Sequence, residues 1–179
     1  MAQSFKTVVA EAQKALREAP DTAVVAFEAE SRQISGLHSR ANARQFALDI
    51  DEPPELGGTD KGPNPAELAL AALAACQEIT YRLFADSLEI PLDGVSVKLE
   101  GTLDLRGFLD IDPNVRPGFL KIQGTVTLDS PASDEDLTRL REKVNRHCPL
   151  FDIIREATPV SLDLKHVRAG GEAAGFAAA

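Results

Sequence analysis

Cysteine is scarce in this sequence. Only Cys76 and Cys148 occur, with neither Cys-x-x-Cys spacing nor the density of a secreted disulfide scaffold. That leaves two inert thiols, a redox pair or a sparse metal site. His38, His147 and His166 add little to the metal reading, because no pair among them and the cysteines has the tight spacing of structural zinc. Positive charge is also short: 19 basic against 28 acidic residues give a net charge of -9, which repels phosphate backbones and offers no basic stripe for nucleic acid. No glycine-rich phosphate fingerprint follows a strand, and no nucleophile-elbow pattern is present. No apolar run approaches the roughly 20 residues that cross a bilayer. The first 18 residues mix Lys6, Lys14 and Arg17 with Glu11 and Glu18, unlike a signal peptide. The expectation is a soluble, cytoplasmic protein with neither a membrane nor a nucleic acid as partner.

At 179 residues, 44% of them hydrophobic, the chain is long enough for one well-packed domain. Residues 5 to 16 place Phe5, Val8, Val9, Ala12 and Leu16 at helical spacing, so residues 1–20 read as an amphipathic helical extension. Residues 22–30 and 42–50 read as strands joined by a polar segment. On the second, period-two geometry puts Arg44 on one face with Phe46, Leu48 and Ile50. Asn64, Pro65 and Glu67 form a strong helix-start signal. That helix should run to about Leu88, with Leu68, Ala72, Ala75, Cys76, Ile79 and Leu83 along one stripe. Two alternating segments follow, around Val95–Leu105 and Leu120–Leu128, and read as antiparallel strands. Ser133 caps a further helix, Pro149 opens a short one, and residues 158–167 read as a last strand. Residues 168–179 read as a loose tail, which leaves 21–167 as the domain proper. There is no internal repeat, and strands and helices come in blocks, so the fold class is α+β.

The chemistry rests on thiolate formation, which a helix N-terminus or a nearby cation favours. Cys148, directly before Pro149, stands at such a helix start, with Arg146 and His147 beside it. Equally, it fills an apolar helix face. Cys76 lies mid-helix in an apolar stripe, where burial raises a thiol pKa and silences it unless a cation arrives from elsewhere. Arg44 is the first candidate for that cation, with Arg40 and Arg32 as fallbacks; the plain alternative for Arg44 is a guanidinium reaching to water from a strand edge. Glu67 can orient an arginine or simply complete a capping box. Nine steps of about 100° put Glu67 and Cys76 on opposite sides of a regular helix.

Together, "ELGGTDKGPNPAELALAALAAC" and "RHCPLFDIIREATPV" resemble the two signature regions of the OsmC/Ohr family of osmotically inducible and organic-hydroperoxide-resistance proteins. The resemblance extends over about residues 22–165 and looks closest to the OsmC-like branch. It implies an OsmC-like fold, with antiparallel sheets wrapped around long central helices in an intertwined homodimer. It also implies a peroxidase that reduces organic hydroperoxides, in which Cys76 matches the peroxidatic cysteine and Cys148 the resolving one. An arginine from the N-terminal strands, Arg44 or Arg40, would stabilise the thiolate. No cofactor is implied, and the partners are an organic hydroperoxide, a dithiol reductant of lipoyl type and a second copy of the chain. One position departs from the family pattern: Ala66 stands where a glutamate usually follows Asn-Pro, and Glu67 matches the adjacent acid.

Overall fold

The protein is described here from a computed structural model covering residues 5–167 and 174–175. Helix α1 (Phe5–Glu18) leads into a 3-10 turn at Pro20–Ala23. Strands β1 (Glu30–Ser35), β2 (His38–Ala43) and β3 (Phe46–Ile50) form one antiparallel sheet in that order. Helix α2 (Pro65–Ser87) follows, then β4 (Gly94–Leu103), the single turn α3 (Leu105–Phe108) and β5 (Phe119–Asp129). Helices α4 (Asp134–His147) and α5 (Pro149–Arg155) come next. A minimal ladder of β6 (Lys165–His166) with β7 (Ala174–Gly175) ends the described chain. Helices and antiparallel sheets thus coexist in blocks, an α+β arrangement.

The long ribbon is the expected one. β4 and β5 pair from Gly94 opposite Asp129 to Leu103 opposite Phe119, and α2 packs against β4. The core lies where α2 meets α4: Tyr81, Ala85, Ile90, Leu92, Leu140 and Val144 are buried together, with Val95, Val126 and Leu128 of the ribbon against them. Ser133 caps α4 as its position suggests, its Oγ accepting from Asp136 N–H at 3.2 Å.

Three expected strands are corrected. Residues 24–29 are extended but unpaired, and the first strand starts only at Glu30, because Pro20 opens a 3-10 turn and, among the described residues, no strand lies alongside. The strand expected over 42–50 is instead the hairpin of β2 and β3, with Arg44 in its turn at φ +54°. That left-handed backbone is uncommon outside glycine and asparagine, so the turn carried little signal. Among the described residues, 158–164 likewise find no partner, and only Lys165–His166 of the last expected strand pair. By length and mean hydropathy alone α2 could cross a membrane, although Glu67, Glu78, Arg82 and Asp86 interrupt its apolar run. In this fold it is a central helix that packs on α1, β4, α4 and α5. Of the tail read at 168–179, all but 174–175 lies outside the described residues.

Its buried side is also not the one the stripe suggested. Leu73, Gln77, Thr80, Tyr81 and Ala85 face inward, whereas Ile79 is 68% exposed and Ala72 and Ala75 lie outward. With leucines and alanines on nearly every side of α2, periodicity alone does not choose between its faces.

Candidate active site

The loop before α2 is folded around one carboxylate. Asp51 is buried and accepts from the Thr59 hydroxyl at 2.6 Å, Thr59 N–H at 3.0 Å, Glu52 N–H at 2.9 Å and Lys61 N–H at 3.3 Å. These bonds, led by the Thr59 hydroxyl, stabilise the ionised form and hold its pKa down to about 2. The loop passes so close to the preceding strand that a Cβ at Gly62 would lie 2.1 Å from the Asp49 carbonyl oxygen, and one at Gly58 1.7 Å from that of Glu52. Glycine is therefore required at both positions.

That loop delivers the start of α2. Asn64 Oδ1 accepts from Glu67 N–H at 2.9 Å, and Glu67 Oε2 accepts from Asn64 N–H at 2.9 Å, which completes a capping box with Pro65 in the first turn. The Glu67 carboxylate is thus engaged at the head of the helix.

Three turns further on, α2 presents Cys76, half-buried, toward the junction of α4 and α5. Cys148 lies there, 1% exposed, between the last turn of α4 and Pro149. The two thiols meet: Cys148 Sγ donates to Cys76 Sγ at 3.3 Å, across 72 residues of sequence, and both cysteines are free.

Cys76 follows the alanine- and leucine-rich stretch of α2. Burial pushes its thiol pKa up, the Leu150 N–H at the start of α5 pulls it down, and the neighbouring Cys148 pushes it up again. Pro149 has no N–H to give, so the first free amide of α5 acts on Cys76, while Cys148, the N-cap residue, makes no side-chain cap bond. The sequence had suggested the reverse, with α5 acting on Cys148. Thr80 was also missed. Its hydroxyl donates to the Cys76 carbonyl at 2.6 Å, a bond one turn along the helix.

The expected cations are elsewhere in this chain. Arg44 is exposed in the β2–β3 turn rather than within a strand, and its guanidinium rests 5.2 Å from the Phe46 ring centre, away from Cys76. Arg40 pairs with Asp49 at 2.9 Å, and His38 Nε2 meets the same carboxylate at 2.8 Å. Those contacts, the His38 bond foremost, hold the Asp49 carboxyl below the usual carboxylate range. Arg32 pairs with Glu30 at 3.4 Å. His147 bonds the Lys143 carbonyl at 2.8 Å and packs on Phe84, with ring centres 5.2 Å apart. Among the described residues, no three His, Cys, Asp or Glu side chains gather as a metal site would require. What the site offers chemically is a pair of reduced thiols in sulfur contact, one half-open and one shielded.

A sequence model of the family described as OsmC-like protein matches residues 58–163. No curated protein matches the chain. Among solved structures, the OsmC like protein from Mycoplasma pneumoniae is similar at TM-score 0.65 and 19% identity, over 74% of this chain and 89% of that one. An organic hydroperoxide resistance protein OsmC from Legionella pneumophila gives 0.55 and 25%, over 74% and 90%. An organic hydroperoxide resistance protein from Elizabethkingia anophelis gives 0.56 and 20%, over 75% and 91%. The family match covers more than half of the sequence, takes in both thiols and agrees with the shared fold: the chain belongs to the OsmC-like protein family.

Proposed function

We propose that this chain is a thiol-dependent peroxidase that reduces organic hydroperoxides in oxidative stress defence. The observation that carries this reading is the 3.3 Å approach of the two free thiols. Bonded sulfurs lie about 2.05 Å apart, so a disulfide needs only a small further approach. In the first step the Cys76 thiolate attacks the terminal oxygen of R–O–O–H. The O–O bond breaks, the alkoxide takes a proton and leaves as alcohol, and Cys76 becomes a sulfenic acid. Cys148, as thiolate, then attacks the Cys76 sulfur and releases hydroxide, which leaves as water once protonated. A dithiol of lipoyl type attacks the resulting disulfide, leaves as its own cyclic disulfide and returns both thiols. The apolar run of α2 that leads to Cys76 favours an organic substrate over hydrogen peroxide.

The working unit in this reading is an intertwined homodimer. Its support is uncovered apolar surface in extended segments and on α2: Phe27 is 93% exposed, Leu162 87% and Ile79 68%. A second copy would also supply the missing cation, with Arg44 or Arg40 from its N-terminal hairpin stabilising the Cys76 thiolate. Glu67 stays with its cap, and Ala66 leaves the family's glutamate position without a carboxylate.

A second reading, a non-catalytic redox-sensing or small-ligand-binding dimer, is favoured by one observation: burial raises the Cys76 pKa and, among the described residues, no cation counters it. Turnover decides. Purified protein with cumene hydroperoxide and dihydrolipoamide is expected to consume many equivalents of peroxide, and both Cys76→Ser and Cys148→Ser to stop the cycle. Oxidation that ends after one equivalent would replace the peroxidase by the sensor.

A further inference from the structure

Cys148 ends a row of inward side chains. Leu140, Val144 and Cys148 are spaced four apart on α4 and its C-cap, so they share one face of the helix, and all three are 1% exposed or less. Leu140 and Val144 belong to the core cluster with Tyr81 and Ala85 of α2. The Cys148 N–H donates to the Val144 carbonyl at 2.9 Å, which holds the residue to that face. Cys76, on α2, is only half-buried. The shield over Cys148 comes from its own chain, so a second copy can cover Cys76 further but does not uncover Cys148.

This asymmetry decides how a Cys76–Cys148 disulfide opens. Displacement at sulfur is in line: the incoming thiolate lies beyond the attacked sulfur on the S–S axis, and the rate depends on access to that sulfur. Cys148 Sγ is closed to such an approach unless α4 loosens from α2. Cys76 Sγ has an open side.

We propose that the dithiol reductant enters at Cys76 alone, and that Cys148 is the internal leaving group and never carries the mixed disulfide. A thiolate of the reductant attacks Cys76 Sγ. The Cys76–Cys148 bond breaks, and its electron pair goes to Cys148 Sγ, which takes a proton. The second thiolate of the reductant then attacks the reductant sulfur bound to Cys76, closes a cyclic disulfide and releases Cys76 as thiolate. Hydroperoxide and reductant thus share one point of entry and use it in turn. The inference rests on the reading of Cys76 and Cys148 as one redox pair, but not on the hydroperoxide, because any oxidant that closes the disulfide sets the same asymmetry.

The test starts from the full chain oxidised with diamide, which closes the disulfide without any hydroperoxide. Oxidised protein is mixed with excess 2-mercaptoethanol, quenched in acid at increasing times, alkylated with N-ethylmaleimide and mapped by mass. At the earliest times mercaptoethanol on Cys76 with N-ethylmaleimide on Cys148 should outnumber the reverse arrangement by at least about tenfold. A second measurement reads the shield itself. In Cys76→Ser, Cys148 should react with iodoacetamide at least about a hundredfold more slowly in the native protein than in urea, because reaction waits for packed structure to open. Mercaptoethanol first on Cys148, equal amounts on the two cysteines, a disulfide that opens at neither sulfur, or a native Cys148 as reactive as the unfolded one would each overturn the assignment. So would a chain in which diamide links no Cys76 to Cys148. Failure of the peroxidase reading looks different: mercaptoethanol still enters at Cys76, but cumene hydroperoxide neither closes the disulfide nor is consumed.

Discussion

Replacing Glu67 separates a helix cap from a reagent. Its carboxylate and the Asn64 side chain exchange two hydrogen bonds, each 2.9 Å, at the start of α2. Loss of a capping side chain costs about 0.5–2 kcal/mol. A carboxylate in the first turn adds about 0.3–1 kcal/mol through the positive end of the helix dipole. Glu67→Gln keeps an acceptor for Asn64 N–H and loses only the smaller contribution. Glu67→Ala loses both, about 1–2 kcal/mol in all. For a chain of this size that lowers the melting temperature by about 2–4 °C per kcal/mol. Asn64→Ala should cost a similar amount, and the double variant less than the sum, because the first loss already frays the turn on which the second bond depends. Melts of the four proteins give the stability cycle; peroxide consumption per folded molecule gives the activity. Cys76 lies on the far side of the helix, so Glu67→Gln should turn over within about twofold of the parent. A fall of about a hundredfold at an unchanged melting temperature would refute the reasoning and make Glu67 part of the chemistry.

Three further outcomes rest on the fold around the site. Asp51 has a folded pKa of about 2, below its ordinary 3.8, so its contribution is complete above the ordinary value and lost as pH falls through the folded one. Acid melts should therefore show a stability loss between about pH 4 and 2 that is smaller in Asp51→Asn, which is also less stable at neutral pH; parallel acid profiles would contradict this. Gly62→Ala drives a Cβ to within 2.1 Å of the Asp49 carbonyl and should cost about 1–3 kcal/mol in urea melts, where an unchanged midpoint would count against the close packing. Leu140→Ala, at a fully buried position in the cluster that holds Tyr81 and Val144, should lower the urea midpoint by the equivalent of about 2–5 kcal/mol without changing the denaturant slope.

What the sequence revealed and what it concealed divide along the range of the interactions. Asn64-Pro65-x-Glu67 could be read because a capping box is a contact between residues three apart, and the structure has both of its bonds. Cys148-Pro149 marked a helix start for the same local reason, and the β4–β5 ribbon was visible in its alternation. The turn at Arg44 was hidden because its positive φ is carried without glycine or asparagine at that position. The inward side of α2 was hidden because apolar residues surround the helix, and its choice of Gln77 and Thr80 over Ile79 is made by α4 and the ribbon. Nothing local announced that Leu150 N–H would act on Cys76 rather than on Cys148. The sulfur contact itself is tertiary: it exists because α2 packs against both α4 and α5.

The central claim is that Cys76 and Cys148 form one redox unit driven by an organic hydroperoxide. Its most direct test is a single-turnover mass measurement, in which reduced protein meets one equivalent of cumene hydroperoxide per chain and is then quenched with an alkylating agent. The account predicts parent protein that has lost two hydrogens and takes up no alkyl group, with Cys76 and Cys148 in one linked peptide. It predicts a Cys148→Ser variant that stops with a single added oxygen on Cys76. Parent protein that remains a fully alkylatable dithiol, or oxygen added first to Cys148, would contradict it.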